Sequence, residues 1–379
     1  MKQRYFGMVI VFCILSAGAM SQEQPTDANA PLEFILHPVK EGIGRYLYYY
    51  EPEDTEVVFK KEPAYAGDIV YRHILHFGKD KINFVGFAFD VKAKTLYVDR
   101  NQNLDLTDDE PYLNTEENPY RDSGNFENVP IEITYENIPV QYALDMQIYK
   151  EYFLSGVRSG WQGEIEIAGK KCIMSIGDNM DGVFDGQDVF MFDHQKHREV
   201  RLAYGEEDLL SLPQWIFFEG QSYSINNALR VLEGETVLAV TLTPITQDLM
   251  DIAFEGQYVS RISLRDREYK KYGVLDWPQP TMRIPADTYY LSRVDLLDSF
   301  YGYPRTSRLL MPGRNVQIKV GGPIKQEVSV SRMGASLHLD YALKGMGDIR
   351  YSADSYSNRA TFAIYQGDRK VDGGNFEYG

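Results

Sequence analysis

The sequence predicts a mostly β protein built from antiparallel strands in two or more domains. Three observations carry that expectation. Apolar residues recur with a period of two along most of the chain, the alternation of half-buried strands. Turn residues rich in Gly and Asn interrupt these runs at short intervals, as hairpins require. Aromatics reach 13%, with 28 Tyr, 31 Gly and 17 Pro, a mixture that favours strands and turns over helices. With 379 residues and 44% hydrophobic content, the chain suits two or three packed domains and is too apolar for wholesale disorder.

Taken in order, residues 1–21 read as a secretory signal. Lys2 and Arg4 precede the apolar run from Met8 to Leu15, and small residues around Ala17–Ser21 offer cleavage near residues 19–21. The apolar run is too short to span a bilayer, which needs about 20 residues, and no later segment approaches that length. An integral membrane protein is therefore not expected. The predicted location is secreted, periplasmic or cell-surface. Residues 22–32 read as a polar tail.

Residues 33–250 follow as a β-rich region. Asp68 to Phe77 and Asn83 to Asp90 are rich in Ile, Val, Tyr and Phe. Ile131 to Tyr135 and Val140 to Tyr149 flank Glu136-Asn137. Glu164 to Ile167 and Cys172 to Met174 flank Ala168-Gly169-Lys170, and Thr236 to Leu242 follows the turn at Glu233-Gly234-Glu235. Only short stretches, such as residues 206–212, suit a helical turn. A boundary falls near 245–255, where Pro244 and polar residues separate two hydrophobic blocks.

Residues 251–379 suit one sandwich domain. Val328 and Val330 alternate with serines, Met333-Gly334 turns the chain, and Leu337, Leu339, Tyr341 and Leu343 return along one face. Phe362 and Ile364, then Phe376 and Tyr378, form a last hairpin around Gln366-Gly367-Asp368. This rhythm, with Ile284-Pro-Ala-Asp-Thr-Tyr289 as a strand-opening turn, resembles immunoglobulin-like or transthyretin-like modules. The resemblance covers only the last third and implies a fold, not a function.

Charge narrows the partners. There are 39 Lys+Arg against 55 Asp+Glu, a formal charge of −16; removing Lys2 and Arg4 with the signal leaves 37 − 55 = −18. Such a balance argues against nucleic acid, whose phosphates need clustered Lys and Arg. Cys13 leaves with the signal, so Cys172 is the only remaining thiol and no intrachain disulfide forms. Cys172 sits in a strand-like run and reads as a buried, inert thiol.

One motif carries chemistry. After Thr95-Leu-Tyr-Val98 comes Asp99-Arg-Asn-Gln-Asn-Leu-Asp-Leu-Thr-Asp-Asp-Glu110, with oxygen-bearing side chains at positions 1, 3, 5, 7, 9 and 12: Asp99, Asn101, Asn103, Asp105, Thr107 and Glu110. A hard dication takes six to eight oxygens at 2.3–2.6 Å. Alternate residues of a curling loop aim side chains inward, position 7 offers its carbonyl, and a Glu at position 12 closes the shell. Without a cation, five carboxylates within twelve residues repel one another. The spacing resembles the EF-hand calcium loop, and that resemblance implies a bound Ca²⁺. It departs from the family at Leu104, where position 6 is normally Gly, and in its flanks, which are not paired helices.

A second loop begins 177 − 99 = 78 residues later. Taking Gly177 as position 1 places Asn179, Asp181, the carbonyl of Val183, Asp185 and Asp188 at ligand positions. Here the central Gly182 is present and the first carboxylate is missing; Asp178 substitutes only if the chain shifts its path. Two such loops after similar strands suggest an internal duplication of a strand–loop unit. One or two Ca²⁺ ions are expected. The bland reading is that Asp, Asn and Gly are ordinary turn residues.

Other chemistry is weak. His73 and His76, and His194 and His197, are three apart, which on a strand places each pair on opposite faces. No Gly-rich phosphate cradle or nucleophile elbow is present. Trp161, Trp215, Trp277 and clusters such as residues 46–50 read as core aromatics before sugar platforms. The sequence therefore predicts an exported calcium-binding protein of structural or binding type. Its Ca²⁺ stabilises inter-strand loops. The alternative is a carbohydrate-active protein, hydrolase or lectin-like, with a calcium-braced sugar site. Partners in either case are a carbohydrate or an envelope or extracellular protein; an adhesive role would need an exposed apolar patch.

Overall fold

A computed structural model describes residues 29–40, 51–52, 58–78, 83–114, 122–149, 152–194, 210–297, 300–304, 309–314, 316–334, 336–353 and 360–376. The signal segment, most of the tail, residues 46–50, 195–201 and 206–209, and Tyr378 lie outside them. The described chain is mostly strand, largely antiparallel and arranged in several sheets, with one short 3₁₀ turn at Met346–Asp348. No helix of the described residues is long and apolar enough to cross a membrane.

The alternating runs form their strands for the reason the pattern gives. In Val70–Phe77 every second side chain is buried, and Thr281–Pro285 and Val316–Lys319 alternate the same way. Hairpins close with two-residue turns whose residues take positive φ. Glu136 (50°) and Asn137 (70°) join Gly124–Tyr135 to Ile138–Ile148, and Ala168 (50°) and Gly169 (73°) join Gly160–Ile167 to Lys170–Gly177. Two successive left-handed residues match the twist of the flanking strands.

Two four-stranded antiparallel sheets bear on the loops. One carries Val70–Phe77, Asn83–Asp90, Thr95–Val98 and Tyr112–Leu113 in that order. The other carries Glu51–Pro52, Tyr152–Val157, Ile138–Ile148 and Gly124–Tyr135. A long sheet runs beside them, from Val189–His194 and Lys170–Gly177 through Gly160–Ile167, Leu32–Val39 and Glu235–Pro244 to Trp215–Phe218. There it crosses, by a parallel pairing to Tyr272–Asp276, into the C-terminal strands.

Two apolar cores flank that crossing. The first gathers Leu36, Phe87, Phe89, Phe126, Phe153 and Phe190, and the second Ile262, Leu264, Ile284 and Val294. The strand Trp215–Phe218 serves both. Ile216 and Phe218 point into the first core, while Trp215 and Phe217 point into the second. Each fully buried side chain of this size contributes about 1.5–3 kcal/mol. Cys172, Trp161 and Trp215 are buried, so these aromatics fill cores.

His73 and His76 do face opposite ways. His73 is fully buried, with ring centroids of Phe87 and Phe153 at 5.4 and 5.3 Å, whereas His76 is half-buried beside Phe84. Burial holds the His73 imidazole down at about 4, from an ordinary 6.5. The unfolded chain takes up this proton before the folded chain does. Stability from this group is thus complete above pH 6.5 and is lost as the pH falls toward 4, by up to ~3 kcal/mol. Melting curves between pH 7 and 4 should show that loss, and His73→Phe should reduce it. An identical acid profile in the variant would refute the assignment.

Candidate metal centre

Both loops turn out to be hairpin connections. Residues 99–111 join Thr95–Val98 to Tyr112–Leu113, whose register pairs Thr95 with Leu113 and Leu96 with Tyr112. Residues 178–188 join Lys170–Gly177 to Val189–His194, with Gly177 opposite Val189. A ligand held by either loop therefore clamps the ends of two paired strands.

The first loop folds around Asp99, which is fully buried. Its Oδ1 accepts the backbone N–H of Asn103 at 3.0 Å and its Oδ2 that of Leu104 at 2.9 Å. Asn101 Oδ1 accepts Asn103 N–H, Asn103 Oδ1 accepts Asp105 N–H, and Asp105 Oδ1 accepts both the N–H and the hydroxyl of Thr107. The alternate oxygens thus lie on the inside of one curl. Leu104, at position 6, takes φ 65°, the left-handed turn that Gly would supply. That conformation costs roughly 1–2 kcal/mol in a non-Gly residue. The site offsets it: Leu104 packs against a small cluster of Phe59, Ala88 and Leu106, and its carbonyl accepts the N–H of Lys60 at 2.8 Å.

Glu110 is exposed, and Asp108 reaches into the curl instead, its Oδ2 accepting amide hydrogens from Asn101 and Asn103 at 3.2 and 2.7 Å. Cationic side chains already lie against this loop. Lys61 Nζ is 3.4 Å from Asp105, Lys60 Nζ donates to Asn103 O, and Arg100 pairs with Asp109. Burial raises the Asp99 carboxyl above its ordinary range, while the two backbone N–H groups pull it back.

The second loop repeats the path. Gln102 and Leu104 take φ 59° and 65°, and Met180 and Gly182 take 70° and 74° at the same offset, 180 − 102 = 182 − 104 = 78. Asn179 Oδ1 accepts Asp181 N–H, Asp181 Oδ1 accepts Val183 N–H, and Asp185 Oδ1 accepts Gln187 N–H. Asp188 is fully buried at the closing position, accepting the N–H groups of Asn179 at 2.9 Å and Asp185 at 2.7 Å. The first carboxylate is present after all, one residue later than the motif places it. Asp178 is buried, with Oδ2 taking the hydroxyl hydrogen of Tyr142 and Oδ1 without a hydrogen-bond partner.

The two loops differ in charge balance. Neither Asp178 nor Asp188 has a salt bridge to any Lys or Arg of the described residues. Burial above all holds both carboxyls well above the ordinary carboxylate range. The Asp178 charge pushes Asp188 further, and the Tyr142 hydroxyl partly restrains Asp178. Among the described residues no three His, Cys, Asp or Glu side chains already stand at metal-binding distances. In both curls most of the alternate side-chain oxygens accept backbone N–H groups.

Sequence reading placed Asp99, Asn101, Asn103, Asp105, Thr107, Glu110, Asn179, Asp181, Val183, Asp185 and Asp188 on the loops and weighed Asp178 only as a substitute by a shifted path; it did not foresee the contacts of Tyr142 and Asp108. Asp178 carried a signal, its adjacency to the motif. Tyr142 carried none, standing 36 residues away in the chain.

These burials fix a pH dependence opposite in sign to that of His73. A carboxyl raised in the folded state gives stability that is present at low pH and lost as the pH rises above the ordinary carboxylate range. The carboxyl contribution, read as the difference between the chelator-treated chain and Asp188→Asn, should therefore fall from about pH 4 toward neutrality, the variant having the flatter slope. An unchanged slope would remove Asp188 from the account.

No protein family matches the chain, and neither the curated proteins nor the solved structures contain a significant match.

Proposed function

We propose that this is an exported calcium-binding protein of structural or binding type, in which Ca²⁺ stabilises the connections between strands. One observation carries the reading: Asp178 and Asp188 are both buried in one loop, and among the described residues neither is salt-bridged to a cation; Asp178 Oδ1 makes no close hydrogen bond, the backbone N–H groups of Asp181 and Gly182 only partly offsetting its burial. Burying an uncompensated carboxylate is costly, and a dication is the group that reverses the sign of that cost. Support comes from the first loop, whose backbone already takes the left-handed turn that an EF-hand-like loop requires at position 6.

In this reading Asp99, Asn101, Asn103 and Asp105 hold one ion, and Asp178, Asn179, Asp181 and Asp188 the other. The oxygens are hard and the loops irregular, which suits Ca²⁺ better than the octahedral, reluctantly dehydrated Mg²⁺. The ion performs no reaction; it neutralises charge and pins two hairpin ends. At 100 times its dissociation constant an ion adds about 2.7 kcal/mol of stability. Calcium should raise the melting temperature of the chain well above that in chelator, and magnesium should do less. Asp99→Asn should remove part of the gain and Asp178→Asn another part. Superimposable melting curves with calcium and with chelator would refute the proposal.

One observation favours the second reading, a carbohydrate-active protein. A groove of about 850 Å³ is lined by Glu132, Gln141, Asn128 and Glu235, with Trp161 and Tyr142 at its wall. Tyr142 is the residue that bonds Asp178. The rings of Trp161 and Tyr142 are buried and present little face for stacking, so we place this reading second. Calcium-dependent retention on neutral polysaccharide, lost in Glu132→Gln, would raise it; no retention on any such matrix would dismiss it.

A further inference from the structure

We propose that the two loops load calcium cooperatively, coupled through the hairpin of Gly124–Tyr135 and Ile138–Ile148; this rests on the calcium reading above. The fourth position of each loop bonds outside its own sheet. In the first loop it is Gln102, whose Nε2 donates to the Glu132 carbonyl of that hairpin at 3.2 Å. In the second it is Met180, whose carbonyl accepts the N–H of Gly78 at 2.8 Å. Gly78 follows Val70–Phe77, in the same sheet that carries the first loop.

The hairpin also bears on the second loop through two tyrosines. The Tyr142 hydroxyl donates to Asp178, and the Tyr142 and Tyr135 oxygens are 3.4 Å apart. The Tyr135 ring roofs Gly182 so closely that a Cβ there would lie 2.5 Å from its Cδ1. On the first loop's side, Asn114 follows Tyr112–Leu113 and accepts the N–H of Asn125 in the hairpin at 3.0 Å.

Gln102 and Met180 both sit in left-handed backbone, at φ 59° and 70°. Such a conformation is disfavoured in a free loop and held by the curl around the ligands. An ion in the first loop fixes Gln102 and with it the Glu132 edge of the hairpin whose Tyr135 and Tyr142 bear on the second loop, and linkage makes the effect reciprocal. The second ion then meets a loop already ordered, which is positive coupling without a large movement.

The test is calcium titration calorimetry on the full chain. The wild type should bind two ions with positive cooperativity. In Asp188→Asn, which disables the second loop, the first should bind about fivefold or more weakly, the lower end of ordinary coupling. Gln102→Ala changes an exposed side chain that is not a ligand, and Tyr142→Phe keeps the buried ring while removing its hydroxyl. Both should lower the cooperativity. Wild-type affinity at the first loop of Asp188→Asn, or undiminished cooperativity in Gln102→Ala, would overturn the coupling while leaving calcium binding intact. A wild-type chain that binds no calcium would overturn the calcium reading and the coupling together.

Discussion

A pair of buried carboxylates that no Lys or Arg of the described residues pairs with is the constraint on which the loops of this structure turn. Asp178 and Asp188 are held by Tyr142 and by backbone N–H groups, groups that lower the cost of a buried negative charge without cancelling it. The fold can keep them neutral by retaining protons, or ionised by acquiring a dication. Surface acidic turns face no such choice, since water solvates them. This is why the second loop, less complete as a motif, makes the stronger physical case.

The first loop shows the other solution. Lys60, Lys61 and Arg100 lie against it, and only Asp99 among its carboxylates is fully enclosed. Its curl is secured locally, by the Leu104 cluster and by Asn and Asp side chains that cap backbone N–H groups. The two loops thus share a backbone path and differ in how their charge is met. The left-handed residues recur at an offset of 78, the pattern that a duplicated strand–loop unit would leave.

Position gives these loops leverage over stability. Each joins two strands of a sheet that contributes to the first core, and the second also touches the neighbouring unit: a Cβ on Gly186 would meet the Tyr272 ring at 2.4 Å. Among the described residues the hairpin ends are secured by packing and by hydrogen bonds. The strand Trp215–Phe218, facing one core with alternate residues and the other core with the rest, carries the sheet from one unit to the next.

Strand alternation, turn positions and the oxygen-bearing loops were all legible in the sequence, because each is set by residues within a few positions of one another. The period of two in Val70–Phe77 and the Glu136-Asn137 turn are of this kind. So is the order Asp99, Asn101, Asn103, Asp105, a property of one short curl. Burial and long-range pairing are not local, and they settled everything else. Whether Leu104 could serve where Gly is usual depended on Phe59 and Ala88, and the register of the second loop depended on Tyr142, a phenol on another sheet. Tertiary structure decided which carboxylates lost their water, because desolvation is a property of everything packed around a group and not of its neighbours in the chain.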